Sequence, residues 1–136
     1  MSRKIFVNLP VKDLKKSMSF FTAVGMKNNP QFTDETAACM VVSETIYLMI
    51  LTEAKFRQFT PKTIADATKT TEVLLALSCE SRAELEGLVG KAVSAGGSTY
   101  AEPKDYGFMY QHGFQDPDGH IFELFWMNPD VPMPKN

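Results

Sequence analysis

The feature that most constrains this chain is a pattern that runs twice. Phe6 and Asp13 in the first half are separated by the same distance along the chain as Leu74 and Ser81 in the second, so the two openings superpose without a gap. Each opening is an extended run followed at once by a helix. In the first, Lys4–Val11 reads K-I-F-V-N-L-P-V. Asp13 then takes the N-cap place before Leu14, Met18, Phe21 and Val24, which recur at helical spacing, and Gly25 closes the helix. In the second, Glu72–Cys79 is extended. Ser81 and Glu84 form a capping box ahead of Leu85, Leu88, Val89 and Ala92, and Gly96-Gly97 ends that helix. Gly87 and Gly90 inside it each cost roughly 0.5–1 kcal/mol against alanine, so packing must hold it. The duplication is one of pattern, not of residue identity.

Strands follow both helices. Ala37–Ser43 and Thr45–Thr52 read as extended in the first half, Phe108–Gln115 and His120–Met127 in the second. Between the halves, Glu53–Thr71 is polar and charged, with Phe56 and Phe59 at one-turn spacing, and reads as a short helix and linker. The tail Asn128–Asn136, with three prolines, is expected to be irregular. The fold class is therefore α+β: one domain over residues 1–136, made of a module at 3–52, a linker at 53–71 and a module at 72–128.

The last two strands are joined by Asp116-Pro117-Asp118-Gly119, a tight-turn signal in which proline presets φ and glycine takes the left-handed position. Glu123 stands inside the otherwise apolar second strand. A carboxylate there must be solvated, paired or bound to a metal, because burying it bare is too costly. A three-residue loop pairs Asp116 with His120, sets Gly113 opposite Glu123 and turns His112 to the other side of the sheet. A four-residue loop sets His112 directly across from Glu123. The turn chemistry favours the first register. His120 sits at the turn edge, as a solvated or turn-pairing residue.

Bulk properties exclude more than they assign. A chain of 136 residues suits one domain with a real core. Its net charge of -2 makes no electrostatic case for nucleic acid, and no basic run suggests an anionic membrane. The apolar run after the first residues is too short for a signal peptide or membrane span. Cys39 and Cys79 lie in apolar runs and read as reduced, buried, structural thiols, which points to the cytoplasm. No G-x-S-x-G, P-loop or dinucleotide fingerprint is present.

N-L-P-V-K-D-L-x-x-S-x-x-F-F-x-x-V-G-M, from Asn8 to Met26, resembles the opening of the vicinal oxygen chelate superfamily. That group holds glyoxalase I, bleomycin-resistance proteins, fosfomycin-resistance enzymes and extradiol dioxygenases. D-P-D-G-H-x-x-E-L at Asp116–Leu124 is similar to its closing hairpin. The resemblance implies two βαβββ modules forming a half-open, cup-shaped mixed sheet with the helices outside. It implies little about chemistry, since one scaffold there hosts many reactions. Metal-dependent relatives place their first ligand, usually histidine, seven positions before the Asp that opens the first helix, which in this chain is Phe6. The matching position of the second half is Leu74, and the glutamate of the fourth strand corresponds to Met49. Only the last ligand position is filled, by Glu123. A catalytic divalent ion needs about three protein ligands, and neither a phenyl ring nor a leucyl chain supplies one. No cofactor is therefore expected, with a divalent metal as the alternative.

Strand alternation then gives the cup's lining. Phe6 and Asn8 come from the first strand, with Tyr47, Met49 and Leu51 from the fourth. Leu74, Ala76 and Ser78 open the second half; Met109, Gln111 and Gly113 belong to the hairpin, with Ile121, Glu123 and Phe125. Each has a plainer reading. Asn8 in a strand can bond to a neighbour or to water, the methionines can be core filler, and Tyr106 and Phe108 can be rim or ordinary surface. Glu123 can be satisfied by Asn8, Gln111 or water, or can serve as a general base or hydrogen-bond partner for a ligand. Apolar walls with few polar groups suit a small-molecule site. The expected function is metal-independent binding of a small, partly apolar molecule, as in bleomycin-resistance proteins. The alternatives are a metal-dependent lyase, isomerase or dioxygenase-type enzyme, and a non-catalytic assembly or partner-binding protein. A homodimer is expected, with no nucleic-acid or membrane partner.

Overall fold

Both capped openings fold as their spacing requires. The computed structural model describes residues 2–135. The chain divides into two compact units, residues 1–66 and 67–136, each a βαβββ module.

In the first unit β1 (Ile5–Val11) leads directly into α1 (Leu14–Ala23). The Asp13 carboxylate accepts the Lys16 N–H at 3.1 Å, satisfying one of the helix's unpaired donors. At the other end Gly25 adopts φ +98°, and the Met26 and Gly25 N–H groups donate to the Phe21 and Thr22 carbonyls. That is a Schellman closure. Then follow β2 (Lys27–Asn29), a 3-10 turn at Pro30–Phe32, β3 (Ala37–Val41) and β4 (Ile46–Thr52). The sheet order is β1-β4-β3-β2, with β1 parallel to β4 and the remaining pairs antiparallel. Phe20, Phe21, Met40, Leu48 and Ile50 are buried between α1 and the sheet. Ser17 is buried among them and its Oγ has no hydrogen-bond partner among the described residues. The segment after β4 holds α2 (Glu53–Phe56) and a 3-10 turn at Arg57–Phe59.

The second unit repeats the plan. β5 (Leu75–Ser78) precedes α3 (Arg82–Ser94), then β6 (Lys104–Asp105), β7 (Met109–Gln115) and β8 (Ile121–Met127). Ser81 Oγ accepts the Glu84 N–H at 3.0 Å. The reciprocal bond of the expected capping box shifts by one residue, because Glu84 Oε1 accepts the Glu80 N–H rather than that of Ser81. Gly96, at φ +107°, and Gly97 close α3 with the same Schellman pattern. The order is β5-β8-β7-β6, with β5 parallel to β8. Leu85, Val89 and Ala92 of α3 are buried, as are Tyr110, Phe114, Phe122 and Leu124 of the hairpin. Gly87 and Gly90 have open space around them, so nothing packs where their side chains would be. The helix is held by its apolar face.

The α+β class and the two βαβββ modules are thus present, each with an open sheet. Three strands differ from the sequence reading. The edge strands β2 and β6 span three and two residues, too short to carry a period. β5 begins at Leu75 rather than Glu72, leaving Leu74 outside the strand and 56% exposed.

Candidate functional site

The hairpin takes the three-residue register. Asp116 N–H donates to the His120 carbonyl at 3.0 Å, and Gly119 closes the loop at φ +93°. Gly113 therefore lies opposite Glu123, and His112 pairs with Leu124 on the other face. That other face is the one covered by α3: the Arg82 guanidinium lies 3.9 Å from the Tyr110 ring centroid, and Tyr110 Oη donates to Glu86 at 3.3 Å. The His112 imidazole lies 3.1 Å from the Ala101 carbonyl. It does not join Glu123.

The helix-free face of the second sheet carries Met109, Gln111 and Gly113 from β7, with Ile121, Glu123 and Phe125 from β8. Ala76 and Ser78 of β5 stand in register with Glu123 and Phe125. Glu123 thus has an alanine on one side and a glycine on the other, and neither side chain can pair with it. Its partner is Tyr100, whose hydroxyl donates to Glu123 Oε2 at 2.5 Å, the length of a charge-assisted bond. This differs from the side-chain partners expected, Asn8 and Gln111. The Asn8 amide instead donates to the Phe6 carbonyl at 3.1 Å.

Gly113 explains how Tyr100 gets there. A Cβ on Gly113 would strike the Tyr100 hydroxyl and come within 2.6 Å of the Phe122 carbonyl oxygen. The ring fills the room left by the missing side chain. Glycine inside a strand often marks such a close approach. Tyr100 remains 39% exposed. Burial first, then the bond and negative charge of Glu123, push its phenol well above the ordinary value, so it keeps its proton.

The first sheet's helix-free face is built separately. Phe6 stacks on Tyr47 with centroids 4.6 Å apart, and Asn8 is in register with Met49. The Lys4 ammonium lies 5.7 Å from the Tyr47 centroid, and Tyr47 Oη donates to the Glu44 carbonyl. Phe6 is 48% exposed. The pairing of Asn8 with Met49 matches that of Ala76 with Glu123. The duplication therefore extends to the sheet register, with Met49 where the second module has its acid.

The closing turn holds a second acid. Asp116 is only 3% exposed. Its Oδ1 accepts the N–H groups of Asp118 at 3.1 Å and His120 at 2.7 Å, while Oδ2 has no partner among the described residues. Burial pushes its carboxyl up to about 6, against the lowering effect of His120. Gly119 presses on the chain at Ala67–Thr68, where a Cβ would lie 2.7 Å from the Ala67 carbonyl carbon and oxygen. Both thiols are free; burial raises Cys39, and burial followed by Glu84 pushes Cys79 up to about 11. Neither is poised as a nucleophile.

The sequence profile of the Glyoxalase/Bleomycin resistance protein/Dioxygenase superfamily matches residues 5–124. The chain belongs to that superfamily. A search of curated proteins finds no match. Among solved structures, the hypothetical protein SA1046 from S. aureus is 29% identical with a TM-score of 0.78, covering 93% of this chain and 95% of its own. A family enzyme from Burkholderia phytofirmans PsJN is 16% identical, with a TM-score of 0.76 and coverage of 93% and 100%. The fosfomycin resistance protein FosX from Listeria monocytogenes is 18% identical, with a TM-score of 0.67 and coverage of 97% and 96%. The last two share the fold. Among the described residues, no helix is long and apolar enough to cross a membrane.

The superfamily's metal can be tested against the donors present. Among the described residues, no three His, Cys, Asp or Glu side chains gather to hold an ion. Among the described residues Glu123 is hydrogen-bonded by Tyr100, and its strand partners are Ala76 and Gly113. These residues do not fit a first coordination shell of about three protein ligands.

Proposed function

We propose that this chain binds a small, partly apolar molecule without a metal, and that Glu123 supplies the polar contact. The observation that carries the reading is the engagement of Glu123 by Tyr100, between strand neighbours that bring no ligand to an ion. Phe125, Ile121 and Met109 share that face and give a ligand apolar surface. Phe6, Tyr47 and Met49 give the first module's helix-free face the same character. The chemistry of the pair supports binding more than turnover. Tyr100 holds one carboxylate oxygen in place, and Oε1, which Tyr100 does not engage, is offered to the ligand. The likeness to FosX, by name a fosfomycin resistance protein, suits a role in which a bioactive compound is the ligand. The reading includes a homodimer in the cytoplasm, checked by sedimentation equilibrium and fractionation.

The test is a thermal-shift screen of metabolites and antibiotics in paired wells, with EDTA and with divalent ions. A true ligand at a hundred times its Kd adds roughly 2.7 kcal/mol to stability. It is expected to raise the midpoint equally in both wells and to lose its effect on Glu123→Gln. Hits that all require the divalent ion contradict the reading.

A further inference from the structure

The acid of the site has a tyrosine for a partner, and that choice decides which ligands the site accepts. Resting on the binding function above, we infer that the Glu123–Tyr100 pair takes an organic cation with an apolar body, such as a protonated amine, amidine or guanidine, and turns away carboxylates and phosphonates. The inference follows from counting protons. The pair owns one polar hydrogen, that of the Tyr100 hydroxyl, and it is already donated to Glu123 Oε2. What remains outward is lone pairs only, on both carboxylate oxygens and on Tyr100 Oη. A ligand that is itself an acceptor finds no donor on the pair, and an anion is also repelled by its charge.

The nearest donors on that face, Gln111 and Ser78, stand in register with Phe125 and not with Glu123. Ala76 and Gly113 flank Glu123 in register and carry no donor in their side chains. His112 is turned to the α3 face beside the Ala101 carbonyl. Lys104 shares the face but stands opposite Gln111 on the edge strand, and none of the ion pairs among the described residues includes Glu123. Among the described residues, then, no cation pairs with that negative charge. Burial and Glu123 together hold the Tyr100 phenol protonated, so the pair stays a monoanion instead of becoming a dianion. Phe125, two residues along β8 on the same face, offers a ring to a flat cation.

The test uses three probes of one shape: benzamidine, benzamide and benzoate, titrated into the full chain in EDTA and followed by 1H–15N spectra. Benzamidine is expected to shift the amides of Ala76, Gly113 and Glu123 saturably, at least tenfold more tightly than benzoate. A hydrogen bond to a charged group is worth roughly 10- to 100-fold in affinity, and Glu123→Gln is expected to remove a factor in that range for benzamidine. Its amide brings two donors, so the preference over benzoate should collapse. If benzamide or benzoate binds these residues as tightly as benzamidine in the unaltered protein, the cation inference fails while the binding function stands. If no probe moves those amides, the cation inference fails, and the binding function is decided by the thermal-shift screen. A preference for benzamidine that survives in Glu123→Gln also overturns the inference. The comparison within the unaltered protein stands whether or not that variant folds.

Discussion

Asp116 should make this protein less stable as the pH rises through the weakly acidic range, and replacing it with asparagine should abolish that trend. The side chain is 3% exposed, and its Oδ2 has no partner. Ionising it in the folded state leaves charge on an oxygen whose lone pairs meet no donor among the described residues, and burial pushes its carboxyl from 3.8 up to about 6. The unfolded chain, by contrast, gives up this proton near the ordinary value. Between those two values the folded state holds more protons than the unfolded one, so stability falls as pH rises. The group's full contribution is present below 3.8 and is lost once pH passes about 6. A shift of about two units corresponds to about 3 kcal/mol, and roughly 2 kcal/mol of it lies above pH 4.5. Asp116→Asn keeps an oxygen for the Asp118 and His120 N–H groups and carries no charge to desolvate. The assay is urea denaturation of both proteins at half-unit steps from pH 4.5 to 8, extrapolated linearly. Titrations of groups that do not interact with Asp116 are common to both and cancel in the difference. Stability of the variant relative to the parent is expected to climb by about 2 kcal/mol across that range. A flat difference, or one that falls with pH, would show that Asp116 is held ionised in the fold and refute the reasoning.

Two further outcomes follow from the packing. Gly113→Ala is expected to cost about 1–3 kcal/mol, the usual range for overpacking, and to expel Tyr100 from Glu123, read by urea denaturation and by the Tyr100 ring resonances. Adding Tyr100→Ala should restore only part of that loss, because the clash with the Phe122 carbonyl persists; an alanine variant as stable as the parent contradicts the geometry. Ser17→Ala removes a buried hydroxyl without a partner. It is expected to raise stability by about 0.5–1 kcal/mol, and a loss of more than that amount would mean the hydroxyl is satisfied.

Much of the fold was written in short-range signals. Asp13 and Ser81 announced their helices because a capping oxygen three residues before an unpaired N–H is a local requirement. Gly25 and Gly96 announced the ends for the same reason. Asp116-Pro-Asp-Gly carried enough turn chemistry to settle which residue faces Glu123, and with it the exclusion of His112. The edge strands β2 and β6 were illegible because two or three residues cannot show a period. The apolar neighbours of Leu74 favour a strand there, yet β5 starts one residue later and leaves it exposed. Tyr100 could not be read at all from pattern. It reaches Glu123 across 23 residues, from an irregular segment whose direction only the folded chain defines. One signal did point to it: a glycine at position 113, inside a strand, where something must come close.

The central claim is that Glu123 serves a ligand directly and not through an ion. The most direct measurement is metal content by mass spectrometry, on tag-free protein expressed with supplemented zinc, nickel, iron and manganese and then dialysed without chelator. Well under one equivalent of every metal is the expected result, unchanged in Glu123→Gln. One tightly held ion per chain, lost in that variant, would contradict the claim.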